Sequence, residues 1–278
     1  MRKSSLLIAA LLAISTSTFS KAMAETVTMH KDIQGISKIS LNSAGKLFIQ
    51  QGNKNSLKIE IDKELIPELN VSKTWNMLNL GLKHSYNYHP NSVKYYVVMK
   101  DISQVSTKNS GQVIISSNIK GKDLDLNVEN SGSISTKQIN VSHSTKIALA
   151  NSGSISVGNL NTNDLDLSLK NSGSIAISNL HAKNLDSSLT NSGSVNIYGG
   201  KVNLQTIKLA NSGTYKSQLQ ASRADIHISG SGSVYADVKD QASVNISGSG
   251  DLYVKGKPAF KSVSITGSGQ IHSMQTFH

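Results

Sequence analysis

The sequence predicts an all-β chain wound as a parallel β-helix of about 20 residues per coil, on three observations. The first is a repeat. Asn-Ser-Gly recurs six times, with its glycines at Gly111, Gly132, Gly153, Gly173, Gly193 and Gly213, so the steps are 21, 21, 20, 20 and 20 residues. Gly-Ser-Gly continues the series to Gly232, Gly250 and Gly269, in steps of 19, 18 and 19. The second is strict alternation between the triplets: Ile155 and Val157 among serines, then Leu165, Leu167 and Leu169 among polar residues. Period-two alternation marks strands with one buried face. The third is that these positions keep their place from repeat to repeat. Two residues after the glycine stand Val113, Ile134, Ile155, Ile175, Val195 and their successors; two before the triplet stand Val128, Leu149, Leu169, Leu189 and Leu209. Such columns suit coils stacked about 4.8 Å apart, and the near-universal hand of parallel crossovers makes a right-handed winding the expectation.

Taken in order, the first element is residues 1–24, read as an export signal. Arg2 and Lys3 precede the apolar run Leu6 to Ile14, and Ala22-Met23-Ala24 offers a small-x-small cleavage site. That run is too short to span a bilayer. Residues 25–108 are read as irregular N-terminal coils. Asn42-Ser43-Ala44-Gly45 is an early corner, and Lys46 to Gln50, Ser56 to Ile61, Leu78 to Leu82 and Val93 to Met99 read as strands. Between the last two, Lys83 to Pro90 (KHSYNYHP) fits no column and is an insertion, a cap or a binding loop. Residues 109–278 are the regular repeats, eight coils from Asn109 to Thr266.

The corners have a backbone reason: Asn and Gly tolerate left-handed angles that other residues resist. Stacked asparagines can also hydrogen-bond up the column. Six copies of one triplet argue against catalysis there, because catalysis needs one constellation.

Composition narrows the classes. The net charge is +11, or +8 once Arg2, Lys3 and Lys21 leave with the signal. The lysines are scattered, which predicts a diffuse positive field and no dedicated nucleic-acid groove. With no cysteine there is neither disulfide nor lipidated-cysteine anchor, so burial alone must hold the fold. No later apolar stretch has membrane-span length.

Some segments go beyond period and composition. Ile246 to Val254 reads ISGSGDLYV, Ser262 to Gln270 reads SVSITGSGQ, and Ile39 to Ile61 follows the same order of strand, polar turn and strand. This resembles the auto-transporter adhesin head GIN domain family over most of residues 30 to 275. The resemblance implies a β-helical fold, an envelope or extracellular setting in a bacterium, and no catalytic residues to carry over. The ten-residue strand series of an outer-membrane barrel does not follow the last corner here.

Candidate chemistry is sparse. Asp125, Lys146, Asp166, Asp186, Thr206 and Asp225 fall five residues before successive corners, on one outward column. Asp166 and Asp186 are a candidate weak cation site, although calcium wants six to eight oxygens and the column reads more simply as a solvated face. No GGxGxD repeat, HExxH or Gly-x-Ser-x-Gly elbow occurs, so no catalytic residues, metal ligands or cofactor are assigned. His84, Tyr86, Tyr88, His89, Tyr95 and Tyr96 form the densest group of unusual side chains and are the candidate partner-binding residues, for a glycan or an envelope or host surface component. Tyr215 counts as inward; Tyr235 and Tyr253 count as an outer pair on neighbouring coils. The sequence thus favours an exported, periplasmic or surface-located, non-catalytic binding protein. A carbohydrate-active β-helix enzyme and a self-assembling envelope component are the alternatives.

Overall fold

The computed structural model of the chain describes residues 25–84 and 91–276. It is nearly all-β, with 72% of it strand, wound as a β-solenoid of about 9 turns with roughly 20 residues per turn. Each coil places one strand after its corner on a first wall and one before its corner on a second, with a short third side between. Successive rungs pair in parallel and in register. On the first wall Ile134 lies on Val113, Ile155 on Ile134 and Ile175 on Ile155. On the second, Leu149 lies on Val128, Leu169 on Leu149 and Leu189 on Leu169. Ile139, Leu160 and Leu180 make the third side. All of these aliphatics are buried, while Ser154, Asp166 and Lys170 face solvent.

The corners explain the triplet. Asn109, Asn130, Asn151, Asn171, Asn191 and Asn211 have φ between 59° and 77°. Their amides form one ladder: each Nδ2 from Asn130 to Asn211 donates to the Oδ1 of the asparagine one coil earlier, at 3.3, 2.9, 2.8, 2.7 and 2.8 Å. Asn109 starts it by donating to the Asn42 carbonyl. The final glycine answers to space. A Cβ on Gly153 would stand 2.6 Å from both the Gly132 carbonyl oxygen and a Val128 methyl. Where the chain turns to Gly-Ser-Gly, the first glycine takes φ of 111–121°, as at Gly230 and Gly267, which asparagine would not hold without strain.

The N-terminal part is not a plain run of coils. Strands β1 (Thr26–Asp32), β2 (Lys38–Leu41), β3 (Lys46–Gln51) and β4 (Ser56–Asp62) lead through a 3₁₀ turn, Lys63–Glu68, to the rest. Then come β5 (Leu69–Thr74), β6 (Met77–Leu82), β7 (Val93–Met99), β8 (Gln104–Thr107) and β9 (Gln112–Ile115). The coil made by β2 and β3 lies between two later ones. β2 pairs in parallel with both β6 and β8, and β3 with both β7 and β9. The coil of β6 and β7 is therefore outermost although it follows in sequence. Beyond it the direction reverses: β4 is antiparallel to β7, β1 to β4, and β5 to β6. These reversed strands close the end, and β1 offers a polar edge bearing Lys31 and Asp32.

The far end differs. Val263 and Ile265 continue the core columns by count, yet they are exposed, as is Phe260. Among the described residues their strand, Ala259–Thr266, pairs with one neighbour along its wall, and no further rung covers them.

One rung breaks the aliphatic column and compensates across the core. Ser187 replaces leucine on the second wall, and the buried Tyr215 reaches from the first into the space. Its hydroxyl accepts from Gln205 Nε2 at 2.7 Å and lies 3.4 Å from Ser187 Oγ. Desolvation pushes the Tyr215 phenol up to about 12.

Candidate functional site

The register of the first wall converts scattered side chains into one outward column. At the N-terminal end, His30 lies beside Lys58, Lys58 beside Tyr96, Tyr96 beside Phe48, and Phe48 beside Ile114. The column then runs through Ser135, Ser156, Ala176 and Asn196. It ends in Lys216, Tyr235, Tyr253 and His272. Bulky residues therefore occupy both ends, and small ones the middle. The next outward column carries Ser133, Ser154, Ser174, Ser194 and Thr214 over the same middle rungs.

The first station is built on β3, β4 and β7. The Phe48 and Tyr96 rings stack at 5.0 Å, and the Lys58 ammonium sits 4.2 Å over the Tyr96 ring. Lys58 also pairs with Glu60 at 2.7 Å, and the Tyr96 hydroxyl donates to Glu60 at 2.9 Å. The Lys58 hydrogen bond, with help from Tyr96, lowers the Glu60 carboxyl, while partial burial and Glu60 raise the Tyr96 phenol. A groove of about 430 Å³ runs along this station, lined by His30, Phe48, Gln50, Lys58, Tyr96 and Val98 among others.

The second station lies toward the other end. Tyr235 and Tyr253 stack at 4.5 Å, and Tyr253 stacks on His272 at 4.6 Å. The Lys216 ammonium is 5.6 Å from the Tyr235 ring. On the Asn196 side of Lys216 is a cavity of about 260 Å³, lined by Asn196, Tyr198, Lys216 and Gln218 among others. Tyr198 is 57% exposed and stacks on no other described ring.

The sequence-predicted residues fall unevenly on this surface. Tyr96 belongs to the first station. Tyr95, its neighbour, is corrected by alternation: it points inward, is fully buried, and donates to the Gly81 carbonyl at 3.1 Å. Burial raises its phenol far above the ordinary value. His84 is exposed and 2.8 Å from Glu68. Tyr86, Tyr88 and His89 lie outside the described residues. Asp166 and Asp186 are in register on adjacent rungs of the second wall, both exposed, with Lys208 3.9 Å from Asp186. Among the described residues no three His, Cys, Asp or Glu side chains gather as a metal site. Tyr235 and Tyr253 are outside and stacked, as their spacing predicts. Phe48, Lys58 and Tyr198 were missed. Phe48 and Tyr96 are 48 positions apart, and only the interleaved coil brings them together; Tyr198 was legible as an outward aromatic following Ile197.

The fold and this surface define a repeat scaffold that presents its side chains in columns. The chain belongs to the family described as "Putative auto-transporter adhesin, head GIN domain", whose profile matches residues 36–145 and again 138–258. The fold recurs in solved structures. One from Parabacteroides distasonis, described as a putative adhesin, has a TM-score of 0.71 at 15% identity and covers 90% of this chain and 98% of its own. Another putative adhesin, from Parabacteroides merdae, has a TM-score of 0.65 at 20% identity, covering 90% and 97%. A third, from Parabacteroides distasonis and described as a putative lipid binding protein, has a TM-score of 0.63 at 24% identity, again covering 90% and 97%. No curated protein matches the chain. Among the described residues no helix is long and apolar enough to cross a membrane.

Proposed function

We propose that this protein is exported and serves as a non-catalytic, adhesin-like binding module that presents its first wall to a partner on an envelope or host surface. The observation that carries the reading is the outward column with an aromatic and lysine station at each end. Aromatic bodies with polar tips are the side chains that give recognition surfaces their contact area. The family description and the neighbours' names support the adhesin-like part, and residues 1–24 support export. The neighbour described as lipid binding suggests a second partner class. A bilayer, however, would meet serine and alanine across the middle of this wall, where lipid insertion needs continuous apolar surface.

The test combines binding and turnover. The purified protein is labelled and incubated with isolated bacterial envelopes and with host-cell surfaces, and separately with anionic polysaccharides with and without calcium. Saturable surface binding without turnover is expected. Turnover that disappears in Asp166→Ala would overturn the non-catalytic reading.

A further inference from the structure

We propose that the first wall binds one extended, neutral polysaccharide chain, laid along the solenoid axis across the trough between the two stations. This rests on the reading above that the wall is the binding surface, and adds the ligand class and the site.

The length argument comes from the register. From the Phe48 rung the column steps through Ile114, Ser135, Ser156 and Ala176 to the Asn196 rung, which carries Tyr198. Five rung spacings are about 24 Å. A small molecule cannot touch both ends; a linear polymer lying along the axis can.

The chemistry argument comes from the floor. Between the stations the column holds Ser135, Ser156 and Ala176, with Ser154 and Ser174 beside them. Those five residues carry hydroxyls and small apolar surface and no charge; on the other flank, leading to Tyr198, stand Lys137, Gly158 and Ser178, so one exposed lysine borders the floor. A polyanion such as single-stranded nucleic acid would need a cation at nearly every step of its backbone. A peptide adding a strand needs a free sheet edge, and this is the face of a fully paired wall. A sugar polymer needs what the trough offers: hydroxyls to exchange hydrogen bonds along its length and aromatic rings to cover ring faces at its ends. Tyr198, exposed and unstacked, is the ring left free at the second station. Phe48 and Tyr96 line the groove at the first.

The experiment uses the purified protein with soluble β-glucan, mannan and galactan, each as a long chain and as a trisaccharide, by affinity electrophoresis and calorimetry. An oligothymidylate is the nucleic-acid probe. At least one neutral long chain is expected to bind, and its trisaccharide at least about tenfold more weakly. Tyr198→Ala should weaken the long chain about tenfold, which is about 1.4 kcal/mol. Ala176→Arg, which puts a long charged side chain in the trough, should abolish binding. Tyr198 is exposed, so its variant tests the site even if Ala176→Arg does not fold. Surface binding with no neutral polysaccharide bound overturns this proposal and leaves the adhesin-like reading standing. A polysaccharide bound equally by wild type, Tyr198→Ala and a folded Ala176→Arg overturns the trough as its site. Oligothymidylate bound with steep salt dependence, in place of sugar, overturns the ligand class.

Discussion

Replacing Asn171 separates the two jobs of the corner asparagine. Its Nδ2 donates to Asn151 Oδ1 at 2.8 Å and its Oδ1 accepts from Asn191 Nδ2 at 2.7 Å, while its backbone sits at φ 73°. Asn171→Gly removes both hydrogen bonds and keeps the angle without strain. Two partly exposed hydrogen bonds are worth about 0.5–1 kcal/mol each, so a loss of about 1–2 kcal/mol is expected. Asn171→Ala loses the same bonds and also pays for a left-handed Cβ, about 1 kcal/mol more, for about 2–3 kcal/mol in all. Asn171→Asp keeps the acceptor for Asn191 but sets a carboxylate against the Asn151 oxygen. It should be less stable than glycine at neutral pH and recover once protonated, below about pH 4. Urea unfolding followed by circular dichroism reads all three. At about 2–4 °C per kcal/mol for a chain of this size, the alanine variant should melt roughly 5–10 °C lower. Equal destabilisation by glycine and alanine would refute the backbone argument, and an aspartate indistinguishable from glycine would refute the ladder.

Other consequences follow from the core. Ser187→Leu restores the aliphatic column but puts a branched side chain where the Tyr215 hydroxyl sits, so it should destabilise by about 1–3 kcal/mol, and Tyr215→Phe in the same chain should recover part of that. A fully additive double variant would show that the two residues do not meet. At alkaline pH the sign follows from the raised phenols. Folded Tyr215 holds its proton to about 12 and an unfolded tyrosine to about 10, so this stability is complete below pH 10 and is lost as pH rises toward 12. Absorbance titration should show the buried tyrosines ionising only with unfolding, and their ionisation in a folded chain would contradict the burial.

The repeats were legible because each repeat states the same rule again. Gly153, Ile155 and Leu169 mean little alone; nine corners at a near-constant step fix the coil, the inward columns and the outward partners. Val263 and Ile265 obey the column and are exposed, because burial of a column member depends on the next rung, which a pattern within one strand does not report. The N-terminal order was hidden for a related reason. Alternation identified β3, β4, β6 and β7 but carries no information on which strands pair, so neither the insertion of β7 between β3 and β4 nor the reversal of β4 could be read. The same step hid the first station. Choosing Tyr95 together with Tyr96 overlooked that neighbours on a strand face opposite ways.

The most direct test of the account is calorimetric titration of the protein with a size series of the neutral polysaccharide it binds. Binding across a trough of about 24 Å predicts affinity that climbs with chain length until both stations are spanned and then levels off. In Tyr198→Ala the climb should stop early, at lengths that engage the first station alone. A trisaccharide binding as tightly as the long chain, or a length dependence identical in Tyr198→Ala, would contradict the claim that this wall reads an extended polymer from both ends.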